Sequence, residues 1–327
     1  EVPMTRALAL FSGGLDSVLA VLVIREQGID VTGVTFVTPF FGAAKAQAAA
    51  ERIVLPLLVH DFTPDHLRML KNPRYGYGRN MNPCIDCHTL MLKKAGDLLA
   101  ETGSQFLITG EVLGQRPMSQ TRQSLHIVAK NSGYEGLILR PLSAALLEET
   151  IPEKEGLVDR ARLLAIQGRG RKTQMDLAGR YGLSHYEPPA GGCLLTDPMF
   201  SRRLRHLFSI RPDPSLREIE LLKHGRHFKA PADRTIVVGR NSADNRAIGA
   251  LREAGDDLLR LQGRPGPTVL IPGGGDDETR TLAAALCALY GGAPRDREVP
   301  VWCETEQGSS VIFALPLDRE EAARLIL

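Results

Sequence analysis

Apolar and polar positions come in blocks along the first part of the chain. ALALF (Ala7–Phe11) is an unbroken apolar run, and VLAVLVIREQG (Val18–Gly28), with a helical pattern, follows it closely. Further short apolar runs predict strands over 31–37, 56–61, 105–109 and 136–139, besides 6–11. Helical patterns lie between them, over 17–26, 43–53, 84–101 and 119–129. Strands alternating with helices predict an α/β fold, a doubly wound parallel sheet that binds ligands at the carboxyl ends of its strands.

The pattern changes after Pro141. Residues 148–181 are polar and read as mostly helical, PPAGGC (Pro188–Cys193) as a turn-rich connector, and 197–222 as helix interrupted by RPDP. From Pro231 onward, strands are predicted over 235–239, 268–272, 299–303 and 311–315, with helices over 246–254 and 278–290. Three segments are expected: an ATP-binding α/β domain over 1–147, a helical segment over 148–228, and a small α+β domain over 229–327.

The 327 residues carry a net charge of +2, which argues against a broadly basic nucleic-acid coat but leaves room for local patches at GRGRKTQ (Gly168–Gln174) and SRRLRH (Ser201–His206). No run of about 18 apolar residues predicts a membrane span. No signal peptide is visible, so a cytoplasmic protein is expected. The five cysteines, Cys84, Cys87, Cys193, Cys287 and Cys303, are odd in number and unevenly spaced, unlike a disulfide framework. Cys287 lies in the apolar LAAALCALY and reads as core, and Cys303 is given no role.

Between the first strand and the first helix stands SGGLDS, Ser12 to Ser17. Paired glycines let the chain turn tightly and point several N–H groups into one concavity at a helix N-terminus, a ready anion site. Ser12 and Ser17 add hydroxyls. Asp16 would repel a phosphate unless a cation lay between them, which points to Mg²⁺. The Walker pattern is absent. SGGLDS resembles instead the pyrophosphate loop of the ATP pyrophosphatase (PP-loop) family, which has the adenine nucleotide alpha hydrolase-like fold. That resemblance implies that Ser12, Gly13, Gly14, Leu15, Asp16 and Ser17 bind ATP, and that a carbonyl oxygen is activated with AMP as pyrophosphate leaves.

NPCIDCH (Asn82–His88) places a C-x-x-C pair at the opening of a helix, where the helix N-terminus favours thiolate. With Cys193 there are three thiols. A structural zinc would want a fourth ligand, for which His88 is adjacent. A [4Fe–4S] cluster held by three thiolates would leave one iron open to carry sulfide. NPCxxC after a PP-loop resembles the tRNA 2-thiouridine synthetases, which also use a cysteine roughly a hundred residues later, where Cys193 stands. The resemblance implies that Asp16, Cys84 and Cys193 are catalytic and that Cys84, Cys87 and Cys193 hold the metal centre. It implies nucleotide contacts at Thr109 and Gly110, although Glu111 follows where the family usually has a TGH-type motif. RPL (Arg140–Leu142) also resembles PP-loop thiolases. Sulfur would come from sulfide or from a cysteine desulfurase relay, either on the cluster or as a cysteine persulfide resolved by a second thiol.

Arg169, Arg171 and Lys172 in GRGRKTQ suit phosphates. VVGRNSADN, then AGDDLLRLQGRPGPTVLI, resembles the NFACT-type RNA-binding domain. It implies RNA contact at Arg240, Asn241, Asn245 and Arg264, the asparagines being equally suited to turns and caps. These features together predict an ATP-dependent tRNA sulfurtransferase whose partner is tRNA. A PP-loop synthetase that transfers nitrogen, or an RNA-binding adaptor with an inactive loop, are the other readings.

Overall fold

The computed structural model describes residues 4–183, 186 and 192–327, and the chain divides into two compact units, Glu1–Thr196 and Asp197–Leu327. The first unit opens with β1 (Arg6–Leu10), α1 (Leu15–Arg25), β2 (Asp30–Val37), α2 (Ala44–Arg52), β3 (Leu57–Asp61) and α3 (Thr63–Lys71). It continues with α4 (Cys84–Asp97), α5 (Leu99–Thr102), β4 (Phe106–Thr109), α6 (Arg122–Ser132), β5 (Ile138–Leu139), α7 (Ile151–Lys154) and α8 (Lys172–Arg180). The strands form one parallel sheet in the order β3-β2-β1-β4-β5, as the alternating pattern predicts.

Both faces of this sheet are covered, which is why its strands read as continuous apolar runs. Ala7 and Ala9 of β1 face one core with Val21 and Ile24 of α1 and Ala46 of α2, while Leu8 faces the other with Leu92 of α4 and Val128 of α6. Each such Leu, Val or Ile contributes about 1.5–3 kcal/mol on burial. The strand order reverses between β1 and β4, so the carboxyl ends of these two strands flank the crevice where doubly wound sheets take their ligands.

The middle of the chain departs from expectation. Residues 148–181 are not mostly helical: α7 is one turn, a 3₁₀ turn covers 160–162, and helix returns only at Lys172. Gly156 and Gly168 adopt left-handed φ of 72° and 82°, which ends regular helix there. Val158, Leu163, Ile166, Leu177 and Ala178 all enter the first unit's core. The expected boundary at 147/148 is therefore not a compact-unit boundary, and the segment expected over 148–228 is shared between the two units. The connector Pro188–Cys193 lies outside the described residues except for Gly192 and Cys193.

The second unit begins with α9 (Pro198–Ile210), capped by Asp197, and α10 (Leu216–Leu221), with a Ser215–Glu218 capping box. There follow β6 (Arg226–Ala230), β7 (Arg234–Val238), α11 (Ser242–Ala250), β8 (Asp257–Leu261), β9 (Val269–Ile271), α12 (Asp277–Tyr290), β10 (Val299–Thr305), β11 (Gly308–Ala314) and α13 (Arg319–Leu325). The sheet is antiparallel, ordered β11-β10-β8-β9-β7-β6. Strands β6 and β8 escape the apolar pattern because charged residues punctuate them; Asp257 of β8 is buried by pairing with Arg280 at 2.8 Å. Ala283, Ala284 and Cys287 of α12 pack into the core with Cys303, so Cys287 is a core residue as its helix pattern predicts. Among the described residues no helix is long and apolar enough to cross a membrane.

Candidate active site

The turn from β1 into α1 is built for close approach. Gly13 has a φ of 75°, and a Cβ there would stand 2.4 Å from the Lys45 carbonyl oxygen at the start of α2. Only glycine meets both demands. Gly14 caps α1: its carbonyl accepts from Val18 N at 3.1 Å and from Ser17 Oγ at 2.8 Å. Gly14 N donates to Ser12 Oγ at 3.4 Å. The Ser17 hydroxyl is thus committed to the turn, and the Leu15 side chain points into the core at 1 % exposure, leaving the main chain of Leu15 as the part that can serve a ligand.

Gly110, at the end of β4, crosses directly over this turn. A Cβ on Gly110 would lie 2.5 Å from Ser17 N and 2.6 Å from the Asp16 carbonyl carbon. The two strand ends at the sheet's switch point are therefore in backbone contact. Asp16 accepts from Gln115 Nε2 at 2.7 Å through Oδ2, and Gln174 Nε2 donates onward to Gln115 Oε1 at 3.0 Å. Asp16 Oδ1 is buried without a hydrogen-bond partner, with an Arg171 guanidinium nitrogen 3.9 Å away. Arg171 thus stands over the loop aspartate, unlike the exposed Arg169 and Lys172.

Glu111 is the residue whose function the sequence alone did not reveal. It is 5 % exposed, takes Arg140 Nε on Oε2 at 2.9 Å, and lies 2.9 Å from His88 Nδ1 through Oε1. A carboxylate only accepts, so the ring nitrogen carries the proton. Thr109 Oγ1 also donates to Glu111, at 3.2 Å. Burial works to raise the Glu111 pKa, but the Arg140 guanidinium and His88 outweigh it and bring it to about 2. The signals lay in the GEV that replaces the family motif and in RPL, but the pairing of residues 29 apart in sequence needed the fold. His88, the adjacent candidate for a fourth zinc ligand, is held by Glu111 through Nδ1, which leaves Nε2 as its ligating nitrogen.

His88 follows Cys87 on α4, so Cys87, His88, Glu111, Gly110 and the Ser12–Ser17 turn form one continuous path. Burial raises the Cys87 pKa well above its ordinary value, and Cys193, Cys84 and Asp86 add to the rise. Burial, followed in part by Cys84, raises Cys193 to about 11, against hydrogen bonds from the Leu195 and Thr196 main chain. At Cys87, burial and neighbouring negative charge thus act against the thiolate that the helix N-terminus favours. Asn82 Nδ2 donates to Cys84 Sγ at 3.2 Å, and Asn80 Nδ2 to the Thr196 carbonyl at 2.7 Å, tying the Cys193 segment to the approach to α4. Among the described residues no group of three or more His, Cys, Asp or Glu is arranged to hold a metal ion. Ala190 and Gly191 of AGGC lie outside the described residues.

In the second unit the polar residues picked from sequence serve the fold. Asn241 caps α11, accepting from Asp244 N at 2.9 Å. Asn245 accepts from Thr268 N at 2.9 Å and donates to the Gly266 carbonyl at 3.2 Å. Arg240 pairs with Asp244 at 2.6 Å and keeps 44 % of its side chain exposed; the exposed Arg264 donates to the Gly292 carbonyl at 3.1 Å. The asparagines are thus cap and turn residues, while the two arginines retain surface to offer.

Residues 4–154 match the family model described as "Thiamine biosynthesis protein (ThiI)", and residues 225–326 match that described as "NFACT protein RNA binding domain". A tRNA-specific 2-thiouridylase MnmA of Bradyrhizobium sp. (strain ORS 278) is 31% identical over 146 residues, covering 38% of this chain and 36% of the relative. That of Parvibaculum lavamentivorans is 26% identical over 210 residues, covering 54% and 51%. The chain thus spans between about a third and a half of the length of these curated relatives. A crystal structure of a 4-thiouridine synthetase–RNA complex with bound ATP is 23% identical, covers 59% of this chain and 45% of its own, and superposes with a TM-score of 0.36.

Proposed function

For a chain that joins a PP-loop domain of the ThiI family to an NFACT-type RNA-binding domain, we propose an ATP-dependent tRNA sulfurtransferase acting in the cytoplasm. It adenylates a tRNA base and replaces its oxygen by sulfur. The observation that carries the reading is the unbroken path from the phosphate-binding turn through Gly110, Glu111 and His88 to Cys87. Activation and sulfur delivery are then neighbouring steps at one switch-point crevice.

The N–H groups of residues 13–17 support ATP binding at the start of α1. The unpartnered Asp16 Oδ1 suits a cation, so Mg²⁺ is assigned there, with Arg171 the nearest fixed positive charge. The base carbonyl oxygen attacks the α-phosphorus and pyrophosphate leaves. Arg171 and the turn N–H groups stabilise the charge that develops on the leaving phosphates, the largest contribution a protein makes to such a step. A sulfur nucleophile then adds to the activated carbon, and AMP departs with the base's former oxygen.

Cys84, Cys87 and Cys193 are the proposed sulfur centre. Three thiolates fit a [4Fe–4S] cluster with one open iron; a zinc ion would need His88 Nε2 as its fourth ligand, with Nδ1 held by Glu111. A bound cluster would supply an open iron for sulfide and would hold its ligating cysteines as thiolates. The persulfide route uses the same residues and needs an external sulfur donor. The test is paired assays on Cys84→Ala, Cys87→Ala and Cys193→Ala. Thiolation of tRNA should vanish while ATP–pyrophosphate exchange in the presence of tRNA continues. Thiolation retained in all three variants would sink the reading. Anaerobic iron and sulfide analysis with EPR separates the routes: a cluster signal lost in each variant selects the cluster, and its absence after reconstitution selects persulfide.

A further inference from the structure

We infer that the loop Arg74–Arg79, RYGYGR, is the platform on which an unpaired nucleotide of the substrate RNA stacks as its base is presented to the cysteine centre. This rests on the thiolation reading above. Lys71–Asn82 contains three basic residues and no acidic one. Within it Tyr75 and Tyr77 are 38% and 40% exposed, and Arg74 and Arg79 are exposed beside them. Two half-open tyrosine rings interleaved with guanidinium groups have the chemistry of a single-strand binding surface: ring faces for bases, cations for phosphates.

The loop is held firmly although it is exposed. Asp86 accepts from both Arg74 N and Tyr75 N at 3.0 Å. Asn131 Nδ2 donates to the Tyr75 hydroxyl at 3.0 Å, and the Tyr77 hydroxyl donates to the Leu70 carbonyl at 2.6 Å. The Arg74 guanidinium sits 5.5 Å from the Tyr75 ring centroid. Both rings are thus pinned by their hydroxyl edges, which lowers the ordering cost of stacking. The residues that lead from this loop into α4 reach the cysteine segments. Asp86 lies between Cys84 and Cys87, Asn82 bonds Cys84 Sγ, and Asn80 holds Thr196, three residues after Cys193. Asp86, on the helix that carries Cys84 and Cys87, holds the loop backbone, so a base stacked there is fixed relative to that helix rather than on a flexible tether.

The experiment uses the full chain and a short unpaired oligoribonucleotide carrying 5-iodouridine. Photocrosslinks should map to the peptide containing Tyr75 and Tyr77. Tyr75→Ala should cut the yield there by about fivefold or more, the low end of one lost base–aromatic stack, and Tyr75→Phe should restore most of it. ATP binding should be unchanged in both, which reports an intact nucleotide site. Crosslinks that avoid this loop, an undiminished yield in Tyr75→Ala, or a Phe variant as impaired as the Ala variant would overturn the inference. So would a Tyr75→Ala defect confined to sulfur delivery by a protein donor, which would make the loop a protein-docking surface. Thiolation by the unmutated protein is measured alongside: a crosslink at Tyr75 without thiolation leaves the platform standing and removes the activity reading.

Discussion

At the residue scale the Arg140–Glu111–His88 chain dominates the site's electrostatics. Glu111→Gln keeps the shape but leaves a buried guanidinium without its counter-charge. Losing one partner of a buried pair costs about 3–5 kcal/mol, which urea unfolding at neutral pH should register. The sign of the acid dependence follows from the depressed pKa. Glu111 titrates near 2 in the folded chain and near 4.3 when unfolded, so its stabilisation is complete above about pH 4.3 and is lost as pH falls through 2. The amount at stake is on the order of 3 kcal/mol. The Gln variant should lack that part of the acid limb. Parallel acid limbs in the two proteins would remove Glu111 as its source.

At the scale of elements, the site exists because two loop backbones touch. Gly110 needs no left-handed conformation, so Gly110→Ala tests the contact alone: its methyl meets the Ser17 amide at 2.5 Å and must push α1 or β4 aside. A displacement of about 1 Å at such a site costs on the order of 10²-fold in rate. ATP–pyrophosphate exchange should fall by about that factor in Gly110→Ala, with Gly170→Ala, which has nothing within 4 Å, as the neutral control. Equal exchange in both variants would mean that the crossing of β4 over the turn does not matter to activation.

At the scale of the molecule, two units each close their own core. Phe228, Ile236, Ala284 and Val301 bury one another within Asp197–Leu327, with no need of residues before Asp197 to complete the cluster. A fragment of residues 197–327 should fold cooperatively on its own and melt within about 5 °C of the corresponding transition in the full chain. Calorimetry of both checks this, and an unfolded fragment would show that the second core depends on the first unit. RNA affinity retained by that fragment would show that the second unit binds RNA on its own.

The parallel sheet was legible from the sequence because strands buried on both faces must be apolar throughout, and the Ser12–Ser17 turn because the left-handed, closely packed Gly13 admits no other residue. Cys287 was legible as core for the same reason of pattern. β6, β8 and the burial of 148–183 in the first core were not, because Asp257 and its like become acceptable inside only once partners such as Arg280 arrive from far along the chain. The cysteines could be suspected from type and spacing, but the raised pKa of Cys87 and of Cys193 could not, since it depends on depth and on neighbouring thiols. Glu111 was visible only as a departure from a motif. Its work as the link between the nucleotide turn and the cysteine helix was decided by the tertiary structure, because hydrogen bonds between residues far apart in sequence follow from how strands and helices stack, which no local pattern records.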